Sequence, residues 1–533
     1  MAHADTQGLQ RAPQVCSHCK SIKKGCDKRL PSCSQCIKRR AVCRYGEPEE
    51  LRRSGERLTK SESPLGRNDR LASTWTSIPR SMRAKLCPPV RLSLLLMNSL
   101  SDVLPPNFDP NSSAASASSD SVFSSQIRHI IQADGKYIDD VVVQYFQGVH
   151  HWLPIISKKR FRDRFAHFQT VPTADFALLL LLMRLITQHP SPNPDTDQDR
   201  EVIYLASKTL FAQVQAFVPS SLYLVQAGVI LATYEHAHGM IEASYVTIGT
   251  SARMACALGL HNKHCSMEMQ GTDAWLDDEE ALATWWGLMI CDRVIGSDAQ
   301  MHGRPLATRP IRDDDYLPPE PEFLDGSRRD IMEPTFRYFV SAISLPGVGS
   351  FGREAQATYL YDRVRMVIEA GQTSEHTLYP LGCELQNLLG TVMEQVAGRW
   401  GIYCGATQVL ISALYTLHQT AAMQQDVDYN PRYGETVKIA LKTLTRMVID
   451  IAYAFNMEKA SLNIEKLSPA TQHIVCCAQQ HILTAEDFND RKWLEDFNQL
   501  RKLLGFFNQR WNLAGMELHR LNQNVEMSMA LHM

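Results

Sequence analysis

Six of the chain's 14 cysteines fall within residues 16–43, in the order Cys16, Cys19, Cys26, Cys33, Cys36, Cys43, which reads C-x2-C-x6-C-x6-C-x2-C-x6-C. At the average density of this 533-residue chain such a window would hold fewer than one. Two C-x2-C pairs in a repeated arrangement suit thiolates that chelate a soft tetrahedral ion such as Zn2+. A disulfide-stapled secreted module would instead need an oxidising compartment and an export signal. Met1 to Val15 shows neither a charged leader nor an apolar stretch, so reduced thiolates around metal are the expectation.

Six thiolates cannot fill two separate four-ligand shells, because two tetrahedral ions need eight bonds. Two sulfurs must bridge. The repeat makes the first cysteine of each half the natural bridge, so Cys16 and Cys33 are shared, Cys19 and Cys26 complete one ion, and Cys36 and Cys43 complete the other. A segment this short has too little apolar material for a core. Metal binding would therefore supply the folding energy, on the order of 10 kcal/mol per structural zinc.

Charge indicates what such a module meets. From Cys16 to Arg44 there are nine basic side chains against the single carboxylate of Asp27, a net of +8, whereas the whole chain carries −2. Two zinc ions with six thiolates would lower the module only to about +6. A concentrated basic patch on a metal frame is the footprint of a protein that binds a phosphate backbone.

The cysteine frame, with Asp27 after the third cysteine and Pro31 two residues before the fourth, resembles the binuclear zinc cluster of fungal transcription factors. The resemblance implies a short helix after the second cysteine in the major groove of double-stranded DNA, with one lysine reading a CGG triplet through guanine O6 and N7. The matching position is Lys23. Lys20, Lys24, Lys38, Arg39 and Arg40 would then touch phosphates, which position the module without specifying sequence. Ile22 and Gly25 stand where the family customarily carries basic residues, and a helix turn ending in Gly25 is expected to be less rigid.

After Arg44 the composition shifts. Eight prolines punctuate residues 45–125, and serine fills eight of the fifteen positions from Asn111 to Ser125, which reads as a disordered linker. Gly55 and Pro64 interrupt the one heptad candidate, Leu51 to Leu58, so a dimerising coiled coil is not expected there. The apolar stretch Val90 to Leu104 reads as a helix docked on the main domain in preference to a partner-binding helix.

From about residue 126 helical periodicity dominates, as in Ala174 to Gln188, Glu201 to Val218, Tyr245 to Leu260 and Ala281 to Val294. Phe176 to Met183 is too short to span a membrane and ends at Arg184, so it reads as a buried helix. Residues 135–330 resemble the fungal-specific regulatory domain that accompanies the cluster. The resemblance rests on Tyr145-Phe146, Leu153 to Ile156, Ala252 to Ala255, Leu258 to His261, Trp285-Trp286, Cys291 to Arg293, Gly303 to Pro305 and Leu317-Pro318, taken in order. Ala281-Leu282-Ala283 departs from the arginines usual before the tryptophan pair.

Several groups invite an enzyme or second-metal reading. The acidic runs Asp277 to Glu280 and Asp313 to Asp315 have the character of Mg2+ sites in helical enzymes. The first is better explained as charging the N-terminus of the Ala281 to Val294 helix, and the second as part of a proline-bounded loop. Glu235 with His236 and His238, and His261 with His264 and Cys265, read as helix-end or pocket residues. The acidic and aromatic stretch from Thr484, with Trp493, Phe497, Leu500 and Leu504, reads as an amphipathic helix closing the domain in preference to an activation segment.

The fold expected is a small zinc-organised module (12–46), a disordered linker (47–125) and a large all-α regulatory domain (126–525). The function expected is that of a nuclear, sequence-specific transcription regulator and not an enzyme. Its cofactor is zinc, two ions per module, and its partners are DNA with CGG-like half-sites and coactivators. A homodimer and a small-molecule effector stay open, and no membrane is involved. The alternatives are a zinc-bearing adaptor without specific DNA reading and an α-helical metal-dependent enzyme.

Overall fold

The computed structural model describes residues 15–39, 41–43, 92, 96, 119–132, 137–168, 170, 172–190, 194–262, 273–325, 337–396, 401–423, 431–458, 462–484 and 492–531. The chain divides into two units, Met1–Arg70 and Leu71–Met533. The first contains two short helices, α1 (Ser17–Ser21) and α2 (Ser34–Arg39). Its buried cluster consists of Cys16, Cys19, Cys33 and Cys36, with Cys26 and Cys43 packed on them.

The second unit is helical, and the one β-feature among its described residues is an isolated bridge between Tyr316 and Phe339. Its first half runs through α3 (Ser119–Gln132), α4 (Ile138–Gln147), α5 (Lys158–His167), α6 (Ala174–Thr187), α7 (Pro194–Phe217), α8 (Leu222–Ala237), α9 (Ile241–Ala257) and α10 (Asp273–Gly296). A one-turn helix, α11 (Pro321–Leu324), follows. The second half has α12 (Ser350–Glu369), α13 (Glu375–Val396), α14 (Cys404–Met423), α15 (Pro431–Glu458), α16 (Gln472–Thr484), α17 (Trp493–Asn508) and α18 (Asn512–Leu531).

Each half is built around an interior helix, and the first of the two was legible from its apolar run. Every residue of α6 is buried, as its apolar run requires, and α3, α4, α7 and α8 pack around it. In the second half α14 holds the same place, packed by α12, α13, α15 and α16. Gly228 on α8 faces Ser251 on α9 so closely that a Cβ there would collide with the serine hydroxyl, which explains why this position is glycine. No described helix is long and apolar enough to cross a membrane.

Two buried arginines tie distant segments together. Arg293 on α10, 1 % exposed, pairs with Asp362 on α12 at 3.1 Å and donates to the Arg309 carbonyl at 2.6 Å. Neighbouring Asp292 accepts from the Thr308 backbone at 2.9 Å. The Asp292-Arg293 dipeptide thus fastens the loop that follows Gly303-Arg304-Pro305. Arg510, fully buried, pairs with Glu465 at 2.9 Å and donates to the carbonyls of Ile186 and, at 3.3 Å, Gln188. It thereby satisfies backbone oxygens that the end of α6 leaves without helical partners.

The structure moves several boundaries. Helix α3 starts at Ser119, inside the stretch expected as linker, and α18 runs past residue 525 to Leu531. The rest of 47–125 lies outside the described residues, apart from Leu92 and Leu96. These two are helical, one turn apart and packed on the large core, as the docked-helix reading of Val90 to Leu104 expects. The Leu51 to Leu58 candidate lies outside them. Helix α10 begins at Asp273, eight residues before Ala281, so the acidic run sits inside the helix and does not head it. Ala281, Leu282 and Ala283 are core residues, which leaves no place for the arginines usual there.

Candidate metal centre and nucleic-acid interface

The small unit is an internal repeat with a period of 17 residues, relating Cys16, Cys19 and Cys26 to Cys33, Cys36 and Cys43. The backbone repeats with it. Cys16 Sγ accepts the Cys19 N–H at 3.4 Å, and Cys33 Sγ accepts the Cys36 N–H at the same distance. Lys20 N–H bonds the Cys16 carbonyl at 3.0 Å, as Ile37 N–H bonds that of Cys33 at 3.1 Å. Lys24 N–H reaches the Cys19 carbonyl at 3.1 Å, as Ala41 N–H reaches that of Cys36 at 3.0 Å.

These two turns bring the sulfurs into two groups of four, Cys16–Cys19–Cys26–Cys33 and Cys16–Cys33–Cys36–Cys43, within each of which all sulfurs lie within 4.8 Å. Cys16 and Cys33 belong to both. Separations are 3.7 Å for Cys16–Cys33, 3.6 Å for Cys16–Cys36 and Cys19–Cys33, and 3.9 Å for Cys16–Cys26. A tetrahedron of sulfurs about 2.3 Å from a central zinc has an edge of about 3.8 Å, so the nest fits that ion. Burial pushes the Cys19 thiol up to about 12 and raises those of Cys16 and Cys36. Crowded thiols keep their protons unless a cation compensates the thiolate charge, which is what a divalent metal supplies.

Asp27 joins the halves. It accepts from the Ser34 N–H at 3.0 Å and the Ser34 hydroxyl at 2.5 Å, so the carboxylate caps α2 from the first half. The Ser34 hydroxyl holds the Asp27 carboxyl below its ordinary range, and Arg29, at 3.5 Å, acts in the same direction. The connecting loop carries a cis Leu30–Pro31 peptide.

The basic residues fall around this frame. Lys20 lies on α1, and Lys38 and Arg39 in the last turn of α2, all exposed. Lys23 is exposed and lies beyond α1, which ends at Ser21, so the matching lysine is not carried on the helix itself. Its φ of 49° is left-handed, and its N–H bonds the Lys20 carbonyl at 3.4 Å. Together with the Lys24 bond to Cys19 this forms a Schellman cap in which lysine takes the place usual for glycine. Gly25 lies two residues further on, where an added Cβ would meet nothing within 4 Å. The helix is thus capped at Lys23, two residues before Gly25. Arg40 lies outside the described residues. In the 17-residue register it corresponds to Lys23.

Among the described residues no other His, Cys, Asp or Glu group gathers as a metal site would require. Glu280 is buried, pairs with Arg160, and accepts from Ser157 N–H at 2.9 Å and Gln226 at 3.0 Å. Asp277 pairs with Arg160 at 2.6 Å, and Glu279 with Arg337. Asp315 takes a two-pronged contact from Arg309 at 2.7 Å, and Asp313 accepts the Tyr359 hydroxyl at 2.8 Å. Glu235 accepts from Lys208 and Thr247, both at 2.6 Å. Burial lowers His236 to about 4. His264 and Cys265 lie outside the described residues. Phe497, Leu500 and Leu504 are buried in α17, so that helix closes the core.

A cysteine-lined metal nest flanked by exposed lysines defines a zinc-dependent DNA-binding module, and comparison with known proteins gives its family. Residues 14–52 match the fungal Zn(2)-Cys(6) binuclear cluster domain, and residues 142–335 match the fungal specific transcription factor domain. The chain is 35% identical over 147 residues to "Transcription factor BOA15" of Botryotinia fuckeliana (strain B05.10), an alignment covering 27% of this chain and 80% of that relative. No solved structure matches. The chain belongs to the fungal Zn(2)-Cys(6) transcription factors, zinc-binding and DNA-binding regulators of transcription and not enzymes.

Proposed function

We propose that this protein is a nuclear activator that reads CGG-like triplets through a two-zinc cluster and controls genes of a metabolic or secondary-metabolite pathway. Cys16 and Cys33 bridge the ions, Cys19 and Cys26 complete one, and Cys36 and Cys43 the other. Lys23 reads the bases, while Lys20, Lys24, Lys38, Arg39 and Arg40 hold phosphates. Residues 12–46 form the DNA-binding module, 47–118 connect it to the helical unit that opens at Ser119, and the regulatory domain recruits coactivators.

The observation that carries this reading is the pair of four-sulfur groups sharing Cys16 and Cys33, with exposed lysines on the adjoining turns. The left-handed cap supports the assignment of Lys23, since it fixes the backbone from which that side chain extends. Binding of the zinc-loaded chain to CGG-containing and scrambled duplexes across salt tests it. Zinc-dependent preference for CGG is expected, with a log-log salt slope of about −4 to −6. Lys23→Ala should lose about 1–3 kcal/mol of discrimination, whereas Lys38→Ala should weaken both duplexes alike. Equal affinity for both duplexes would overturn the triplet reading and favour an adaptor, and one zinc per chain by native mass spectrometry would overturn the bridged cluster. A reporter gene that falls silent with the protein present would reverse the sign of regulation.

A further inference from the structure

The second half of the helical unit holds a cavity of about 60 Å³ between α13, α14, α15, α16 and α17. One water needs roughly 10–15 Å³, so the space exceeds a single solvent molecule several times over. Its walls are almost wholly apolar, with Val448, Ile474 and Phe507 among them. Two polar groups interrupt them. Gln408, only 3 % exposed, lines the cavity from α14. Thr471 Oγ1, also on the wall, is buried without a partner.

Buried amides and hydroxyls are satisfied in folded proteins, because an unmade bond costs about 1–3 kcal/mol. An apolar chamber with an amide and an unpartnered hydroxyl on its wall has the composition of a small-molecule site, in which apolar contact supplies affinity and a few polar groups fix orientation. We propose that this cavity binds a small apolar molecule, a single ring or short branched chain, carrying one hydroxyl or carbonyl that pairs with the Gln408 amide. The cavity lies outside residues 142–335, the part of the helical unit that the family domain matches. A ligand held there would be an effector whose binding is independent of triplet reading.

The test uses the full zinc-loaded chain and two probes of nearly equal shape, benzyl alcohol and ethylbenzene, titrated by ligand-observed NMR. Both should bind. Gln408→Leu, which keeps the volume and removes the amide, should weaken benzyl alcohol about tenfold relative to ethylbenzene. Val448→Phe should abolish binding of both by filling the space, with helical circular dichroism retained; Ile474→Phe serves if that variant does not fold. Absence of binding by either probe would mark a solvent-filled packing void and overturn the proposal. So would binding that survives the filling variants, or a Gln408→Leu effect equal for both probes. None of these outcomes bears on DNA affinity, so failure here and failure of the triplet reading are separable.

Discussion

The zinc module and the helical unit solve the same problem with different materials. The helical unit buries a continuous apolar cluster running from Ile127 to Leu521, whose stabilisation scales with the area removed from water. Among the module's described residues there is no such cluster, and what they bury is sulfur. One region is held by many weak, exchangeable contacts, the other by a few strong ones that depend on a bound ion. The difference teaches where each is vulnerable. The module should fail all at once when the ion leaves, and the helical unit should fail by degrees.

The largest test of that contrast is chelation. Stripping zinc should unfold the module, removing on the order of 10 kcal/mol per ion, and should abolish DNA binding while leaving the thermal melt of the helical unit unchanged. A melt that shifts with chelator would break the comparison. Next in size is the buried pair between Arg293 and Asp362. Arg293→Ala leaves a buried carboxylate uncompensated and should cost about 3–5 kcal/mol, measured by urea denaturation, with zinc content unchanged. Smallest is Gly25→Arg. The site has open space for the side chain, so affinity for both duplexes should rise a few-fold and the log-log salt slope should steepen by about one, as read by fluorescence anisotropy. Lost zinc in that variant would show that the turn needs glycine after all.

What was legible in the sequence follows from the same contrast. Ligand spacing is imposed by coordination chemistry, so bond counting calls for two shared sulfurs and the repeat points to Cys16 and Cys33, which belong to both sulfur groups. The all-α character and α6 were legible because continuous apolar runs leave little choice. Less legible was anything settled by residues far apart in the chain. Asp277 to Glu280 read as the head of a helix, since nothing local shows that Arg160 and Arg337 wait for those carboxylates. Lys23 gave no sign of a left-handed backbone, because a lysine rarely adopts one. Asp27 followed by Ser34 was the available cue to the clamp between the halves, readable only once the 17-residue repeat places Ser34 at the head of the second turn.

The clamp of Arg510 on α6 has a consequence for synthesis. The oxygens of Ile186 and Gln188 leave the ribosome more than 300 residues ahead of the guanidinium that occupies them. Domains fold as units while the chain is being made, yet here the central helix of the first half lacks its terminal partner until the turn between α17 and α18 has been translated. A message cut short before codon 510 would yield a chain able to build the metal module and most of the first half, but with the end of that helix unfastened. The fold thus makes the fastening of that helix wait for a residue more than 300 positions downstream.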